Sequence, residues 1–291
     1  MRIRGQNKDA EVARVCVVTA AYNAAATICE SIESVQQQTL ADWEMIVVSD
    51  CSTDGTDDLV RRYAAEDPRI RLLRQNTNIG AGACRNLAIA STNSTFVAIL
   101  DADDIACRHR LERQVDELDD SQHLVATASQ LLEFGDWGGP VLSAWPMTLA
   151  GIRSRQRKNK IPIPHPSTVF RRDALIAVGG YDVLCRRSED HALFLKLRDA
   201  QVSCTPEPLV YYRTTRPIGL RYTIREGRYG RFAEDRVLRG METPVPAKLP
   251  RTLAIDARST IGWLRRRYRE RSQSTVEVRG TYDSEPLLKD T

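Results

Sequence analysis

One cluster of side chains in this 291-residue chain is suited to gripping a cation: Asp101-Ala102-Asp103-Asp104. Two carboxylates one residue apart can face a single hard ion, Mg²⁺ or Mn²⁺, and leave its other positions open for phosphate oxygens. A water-exposed acidic turn accounts for the same residues, with Asp104 capping the helix that follows. A second acidic pair, Glu189-Asp190, follows Ser188. The dipole of a helix N-terminus favours such a pair. Adjacent helical residues do not share a face, so these two acids are expected to do different jobs.

The first cluster is placed by the run before it. Thr95-Phe96-Val97-Ala98-Ile99-Leu100 reads as a buried strand from its β-branched and aromatic content. Open α/β sheets bind ligands at the C-terminal ends of such strands. Upstream, residues 15–19 and 44–49 read as two more strands, and residues 70–73 as a shorter one. Thr27-Ile28-Cys29-Glu30 matches a capping box, and Ile28, Ile32 and Val35 give the helix it opens an apolar stripe. The polar loop 50–56 leads into a helix carrying Leu59, Val60 and Tyr63, and residues 80–90 form another. Strands alternating with helices imply a parallel sheet with right-handed crossovers.

After Asp104 the spacing predicts a helix over 110–118 and a strand over 124–129. Residues 135–166, rich in Gly, Pro and charge, read as mostly loop, and the cations of 153–160 as a solvated loop, a lid over phosphate or a contact for an anionic acceptor. Helices are expected over 172–178 and 189–199, and strands over 202–204 and 209–213. Beyond 213 the pattern predicts no definite domain, and 273–291 is polar and expected to fray.

Charge is unevenly spread. Residues 213–272 carry 16 Lys or Arg against 6 Asp or Glu, a net of +10, which leaves −6 on the remainder of a chain whose total is +4. A basic C-terminal region on an acidic body points to an anionic partner there, or to solvated arginines on surface helices. Ile261-Gly262-Trp263-Leu264-Arg265 and the arginines after it mix apolar and cationic residues, as a peripheral contact with an anionic membrane requires. With an acidic body and no reader motif, nucleic-acid binding is not expected. Seven cysteines stand singly with no Cys-x-x-Cys pair, which argues for reduced thiols in a cytosol. The polar start of the chain lacks the features of a signal peptide, and no apolar run reaches membrane-spanning length.

Motifs in order along the chain carry a resemblance. The strand 15–19 runs on into Ala20-Ala21-Tyr22-Asn23, Val47-Val48-Ser49-Asp50 into Cys51-Ser52-Thr53-Asp54-Gly55-Thr56. Asn78-Ile79-Gly80 precedes Arg85-Asn86, and Asp101-Ala102-Asp103-Asp104 is followed by His165-Pro166-Ser167-Thr168, Gly179-Gly180-Tyr181-Asp182 and Glu189-Asp190. Together these resemble the family 2 glycosyltransferases. The resemblance implies an α/β chain of the GT-A fold: a Rossmann-like, mostly parallel sheet flanked by helices, with a helical or irregular basic C-terminal extension. It covers about residues 15–213. The expected organisation is a transferase domain over 1–213, the basic extension over 214–272 and a disordered tail over 273–291.

What the resemblance implies for chemistry is inverting transfer of a sugar from a nucleotide-sugar donor, most simply a UDP-sugar. The acceptor is a hydroxyl on a glycan or a lipid-linked glycan. Asp103 is expected to touch a Mn²⁺ or Mg²⁺ ion, with Asp101 near the ribose or sharing the metal, and Ala102 lies between them in the donor site. Ala20, Ala21, Tyr22 and Asp50 are expected on the nucleotide side. Arg85 is expected to pair with a phosphate or with an acid of the metal motif. Asp190 is the candidate general base, and Glu189 orients a neighbour or the acceptor. His165 is expected to line the acceptor side or, as a lone His near Pro more often is, to be structural. Three departures stand out: Ser49 and Cys51 replace an Asp and a Gly, Ala20-Ala21 replace Pro-Thr, and no His follows Arg213. With that His missing, water or Arg216 would have to serve the phosphates. Two other readings fit less of the pattern. A sugar-nucleotide pyrophosphorylase would carry a Gly-rich loop where Ala24-Ala25-Ala26 stand. A degenerate sugar-nucleotide-binding protein would have lost the chemistry.

Overall fold

The computed structural model describes residues 12–242 and 253–272. The N-terminal half alternates as the sequence predicts: β1 (Val15–Ala21), α1 (Ile28–Gln36), β2 (Trp43–Ser49), α2 (Thr56–Glu66), β3 (Ile70–Arg74), α3 (Ala81–Ala90) and β4 (Phe96–Ile99). Then come β5 (Ile105–Ala106), α4 (Arg110–Asp120), β6 (Leu124–Gly135), β7 (Gly138–Leu142), α5 (Leu149–Arg157), β8 (Val169–Arg171), α6 (Arg172–Ala177), α7 (Glu189–Lys196) and β9 (Gln201–Arg213). Two long helices follow, α8 (Leu220–Arg239) and α9 (Leu253–Ser272).

The strands form one sheet in the order β3-β2-β1-β4-β8-β6-β9-β5, with β7 paired to β6. Strands β1 to β4 run parallel to one another, whereas β8 is antiparallel to both β4 and β6. Central parallel strands are covered on both faces and so need continuous apolar runs. Successive side chains go to opposite faces. Val15, Val17, Met45, Val47, Phe96 and Ala98 pack on one face with residues of α1, α2 and α4. Cys16, Val18, Ile46, Val48, Val97 and Ile99 pack on the other with Cys84 and Ala88 of α3 and Leu193 and Phe194 of α7. The expected α/β fold is therefore present, with a mixed sheet.

Several local expectations are corrected. Residues 135–166 are not mostly loop; they include the end of β6, all of β7 and α5. Three of the five cations of this run, Arg153, Arg155 and Arg157, lie on α5, and the first two are tied down, while Arg157, Lys158 and Lys160 are exposed. Arg153 donates to the carbonyls of Asp199 and Ala200, and Arg155 donates to Ile161 O at 2.6 Å and lies over the Trp145 ring. The solvated-loop reading therefore fails for Arg153 and Arg155, which are held on a helix. The two short strands expected over 202–213 are one strand, β9, with register shifts against β6 near Pro208. The capping box does not form. Thr27 Oγ1 donates instead to Ala102 O at 3.0 Å, so the start of α1 holds the acidic turn after β4.

Beyond Arg213 the described chain is helical. Phe232 and Ala233 of α8 pack with Cys185 and Ala192, and Arg236 pairs with Asp182. The expected tail over 273–291 lies outside the described residues. All seven cysteines are free thiols, and burial pushes Cys84, Cys185 and Cys204 up to about 12, so they are inert packing groups.

Candidate active site

A cavity of about 660 Å³ opens beyond the C-terminal ends of β1, β2 and β4. Tyr22, Asp50, Arg85, Asp101, Glu189 and Asp190 all line it, although 168 positions separate the first from the last. Ala20 and Ala21 end β1 behind Tyr22, and Asp50 N donates to Ala21 O at 2.8 Å. Ala102 is buried in the turn after Leu100, and Asp103 is exposed on it. Ala20, Ala21, Ala102 and Asp103 stand outside the cavity lining.

Arg85 joins the two acidic clusters. Its guanidinium is 6% exposed and donates to Asp101 Oδ1 at 2.7 Å and to Glu189 Oε1 at 2.8 Å. The close approach of α3 and α7 makes the bridge possible. A Cβ on Gly82 would lie 3.2 Å from the Cβ atoms of both Glu189 and Tyr181. Of the partners expected for Arg85, the acid of the metal motif is the one it meets. Burial pushes the Asp101 carboxyl up, but attraction to Arg85, with Arg110 adding, holds it below its usual value.

The other acids of the motif are pushed the opposite way. Burial and then the charge of Asp101 raise Asp103. Burial raises Asp104 further, and the charges of Asp101 and Asp103 add to it. Asp104 is not the expected cap: it is fully buried, and its Oδ1 accepts from Arg213 N at 2.9 Å while Oδ2 has no hydrogen-bond partner. Three crowded carboxyls with an orphan buried oxygen fit a site that gains from a nearby cation. Among the described residues no group of three or more His, Cys, Asp or Glu is arranged to hold a metal ion. The donor set thus suits an ion that takes most of its ligands from phosphate and water, and Asp101 and Asp103 are the carboxylates that could hold it.

Asp50 has a structural task as well as a place in the cavity. Its carboxylate accepts from Ile79 N at 2.6 Å and Gly80 N at 2.9 Å, fixing the turn before α3. Gly80 has φ +91 there, which a Cβ would oppose. Cys51, at the position of the usual Gly, has φ +64, so the left-handed conformation persists without the glycine.

On the opposite wall Asp190 Oδ1 accepts from its neighbour His191 N at 2.7 Å. Burial, then the charge of Glu189, push the Asp190 carboxyl up to about 7. Ser188, just before the pair, has φ +57, a strained conformation of the kind that gathers at functional sites. His165 lines the cavity and is also held in place: Nε2 lies 2.8 Å from Tyr181 Oη, and burial beside Arg85 lowers it to about 3, so it is neutral. Arg216 is not free for phosphate, because it pairs with Glu133 and lies over the Trp137 ring.

Sequence reasoning missed Arg186, Arg187 and Glu226, which also line the cavity. Arg186 donates to Asn78 O at 2.7 Å, and Arg187 pairs with Glu226 of α8 at 3.0 Å. The two arginines had a signal in their position just before Glu189-Asp190. Glu226 had none, since it comes from a helix the pattern did not predict.

The family model described as "Glycosyl transferase family 2" matches residues 16–179. The chain belongs to glycosyl transferase family 2. Among the similar family members is the putative glycosyltransferase EpsE of Bacillus subtilis, 33% identical over 189 residues, which are 63% of this chain and 66% of that protein. Another is the Escherichia coli UDP-Glc:alpha-D-GlcNAc-diphosphoundecaprenol beta-1,3-glucosyltransferase WfgD, 41% identical over 102 residues, 35% of this chain and 40% of that one. The chain thus spans less than two thirds of the length of either relative. A solved structure with the same fold is the mannosyltransferase PcManGT from Pyrobaculum calidifontis in complex with GDP-Man and Mn²⁺. It has a TM-score of 0.60 and 18% identity, and the match covers 92% of this chain and 77% of that one. As a family 2 fold, the chain places the acidic turn after β4 and the acidic start of α7 on facing walls of one cavity.

Proposed function

We propose that this protein transfers a sugar, with inversion, from a nucleotide-sugar donor to a hydroxyl of a glycan or lipid-linked glycan at the cytosolic face of a membrane. The observation that carries this reading is the common cavity: Asp101 and Asp50 on the strand-end side face Asp190 across the Arg85 bridge. The donor is a UDP-sugar, with GDP- and dTDP-sugars as the alternatives; the named relative uses UDP-Glc and the structural neighbour holds GDP-Man.

In this reading Tyr22 and Asp50 border the nucleotide, and Asp101 and Asp103 hold the divalent ion. When bound, Mn²⁺ or Mg²⁺ neutralises the charge that develops on the departing diphosphate. Asp190 accepts the acceptor hydroxyl's proton as that oxygen attacks the anomeric carbon from the side opposite the nucleotide. A new glycosidic bond forms there, and the bond to the diphosphate breaks. A base with a pKa near the operating pH suits this step. Glu189 is held by Arg85 and positions the start of α7, leaving Asp190 as the proton acceptor. Glu226 and Arg187 shape the acceptor side.

Calorimetric titration with UDP, GDP and dTDP, each with and without Mn²⁺, tests the donor half. One nucleotide should bind in a metal-dependent way, and Asp103→Ala should abolish the metal dependence. Absence of binding by all three would overturn the transferase reading.

A further inference from the structure

We propose that α9 seats this protein on an anionic lipid bilayer. Leu253, Ala257, Ile261 and Leu264 are all exposed on this helix, Leu253 by 89%, Ile261 by 51% and Leu264 by 55%. At 3.6 residues per turn these four fall within an arc of about 80°. Arg265 and Arg258, also exposed, begin about 40° beyond it. None of the exposed residues described on α9 is acidic.

The outward direction of this stripe is fixed by what the opposite face does. Asp256 pairs with Arg228 of α8, and Trp263 Nε1 donates to Ile218 O at 2.7 Å. Gly227 of α8 lies so close to α9 that a Cβ there would stand 2.2 Å from Ser259 Oγ. Asp256 and Trp263 are thus used inward, and the described aliphatics with adjacent cations are left outward. No helix among the described residues is long and apolar enough to cross a membrane. An apolar arc bordered along one edge by arginines instead suits a helix lying in the headgroup region.

Charge selects the occupant. The +10 of residues 213–272 against −6 elsewhere would orient the molecule with this side toward an anionic surface. A second copy packed antiparallel on the stripe by a two-fold axis would bring like-charged arginine rows together. Nucleic acid would gain little from the three large aliphatics. The neighbouring helix α8 carries Glu226 into the cavity, so a bilayer under α9 would lie on the side from which a lipid-linked acceptor arrives.

The test is co-sedimentation of the full chain with vesicles of phosphatidylcholine alone or mixed with phosphatidylglycerol, without sugar nucleotide. Its outcome is therefore separate from that of the donor titration. Binding is expected to the mixed vesicles only, and to weaken as salt is raised. Arg258→Gln with Arg265→Gln should weaken it about 25-fold, each cation contributing about fivefold. Ile261→Asn with Leu264→Asn should weaken it by about tenfold or more. Circular dichroism and an unchanged nucleotide titration show that each variant is folded. Equal binding to both vesicle types, absence of binding, or variants that bind like the parent would overturn the proposal. So would self-association through the same residues without vesicle binding, which would make a second copy the occupant.

Discussion

At the scale of the residue, Asp190 combines two costs of function. Its carboxyl is displaced to about 7 by burial and by the charge of Glu189. Asp190→Asn should lower turnover by about 10²–10⁴-fold, the usual worth of a general base, with nucleotide affinity unchanged. If affinity falls in parallel, Asp190 is a binding group instead. In the parent protein turnover should rise as pH passes through about 7, because the base must be ionised, and the Asn variant should lack that limb. Stability follows the same titration with the opposite benefit. The folded carboxyl keeps its proton to higher pH than an unfolded Asp near 3.8, so stability is full below that value and is lost as pH rises through about 7. Asp190→Asn removes this loss. Thermal melts should therefore place the variant above the parent at about pH 8 and show the two converging in acid.

At the scale of the element, the decisive contact is the approach of α3 to α7. Arg85 can reach both Asp101 and Glu189 because Gly82 presents no side chain where Glu189 and Tyr181 press against it. Gly82→Val should wedge the helices apart and lower turnover by about tenfold or more, while overpacking costs about 1–3 kcal/mol of stability in denaturant unfolding. A Val variant with normal turnover would show that the bridge does not need this approach. Much of this arrangement was legible beforehand. The strand pattern from residue 15 to 100 and the acids after β4 announced an open sheet with its site at the strand ends. Less legible was everything decided by distant pairing. Thr27 looked like a cap, but its hydroxyl serves the carbonyl of Ala102, 75 positions away. Asp104 looked like a cap and is instead buried against the backbone of Arg213. The loop reading of 135–166 failed because β7 earns its strand state by pairing with β6, not by apolar alternation.

At the scale of the whole molecule, the chain divides its task unequally. In the proposed reading the donor side is made by β1, β2, α3 and the turn after β4, all within a sheet whose two faces are each covered by a continuous core. The acceptor side depends on α7 and α8, and α8 is held to α7 by a much smaller group: Phe232 and Ala233 with Cys185 and Ala192. Cores of such different size should open independently, the smaller one first. Phe232→Ala should cost about 3–5 kcal/mol locally, because a large buried ring is removed and the site can only partly collapse. Hydrogen exchange should then speed up along α8 and remain unchanged in β1, β2 and β4. Nucleotide binding should survive, since none of the donor-side residues rests on that cluster. Transfer should fall, because Glu226 and its partner Arg187 lose their fixed position beside Asp190. A nucleotide affinity that dropped in step with the opening of α8 would mean that the two halves form one cooperative unit. In that case the C-terminal helices would be part of the donor site's foundation, not an independently mobile acceptor wall.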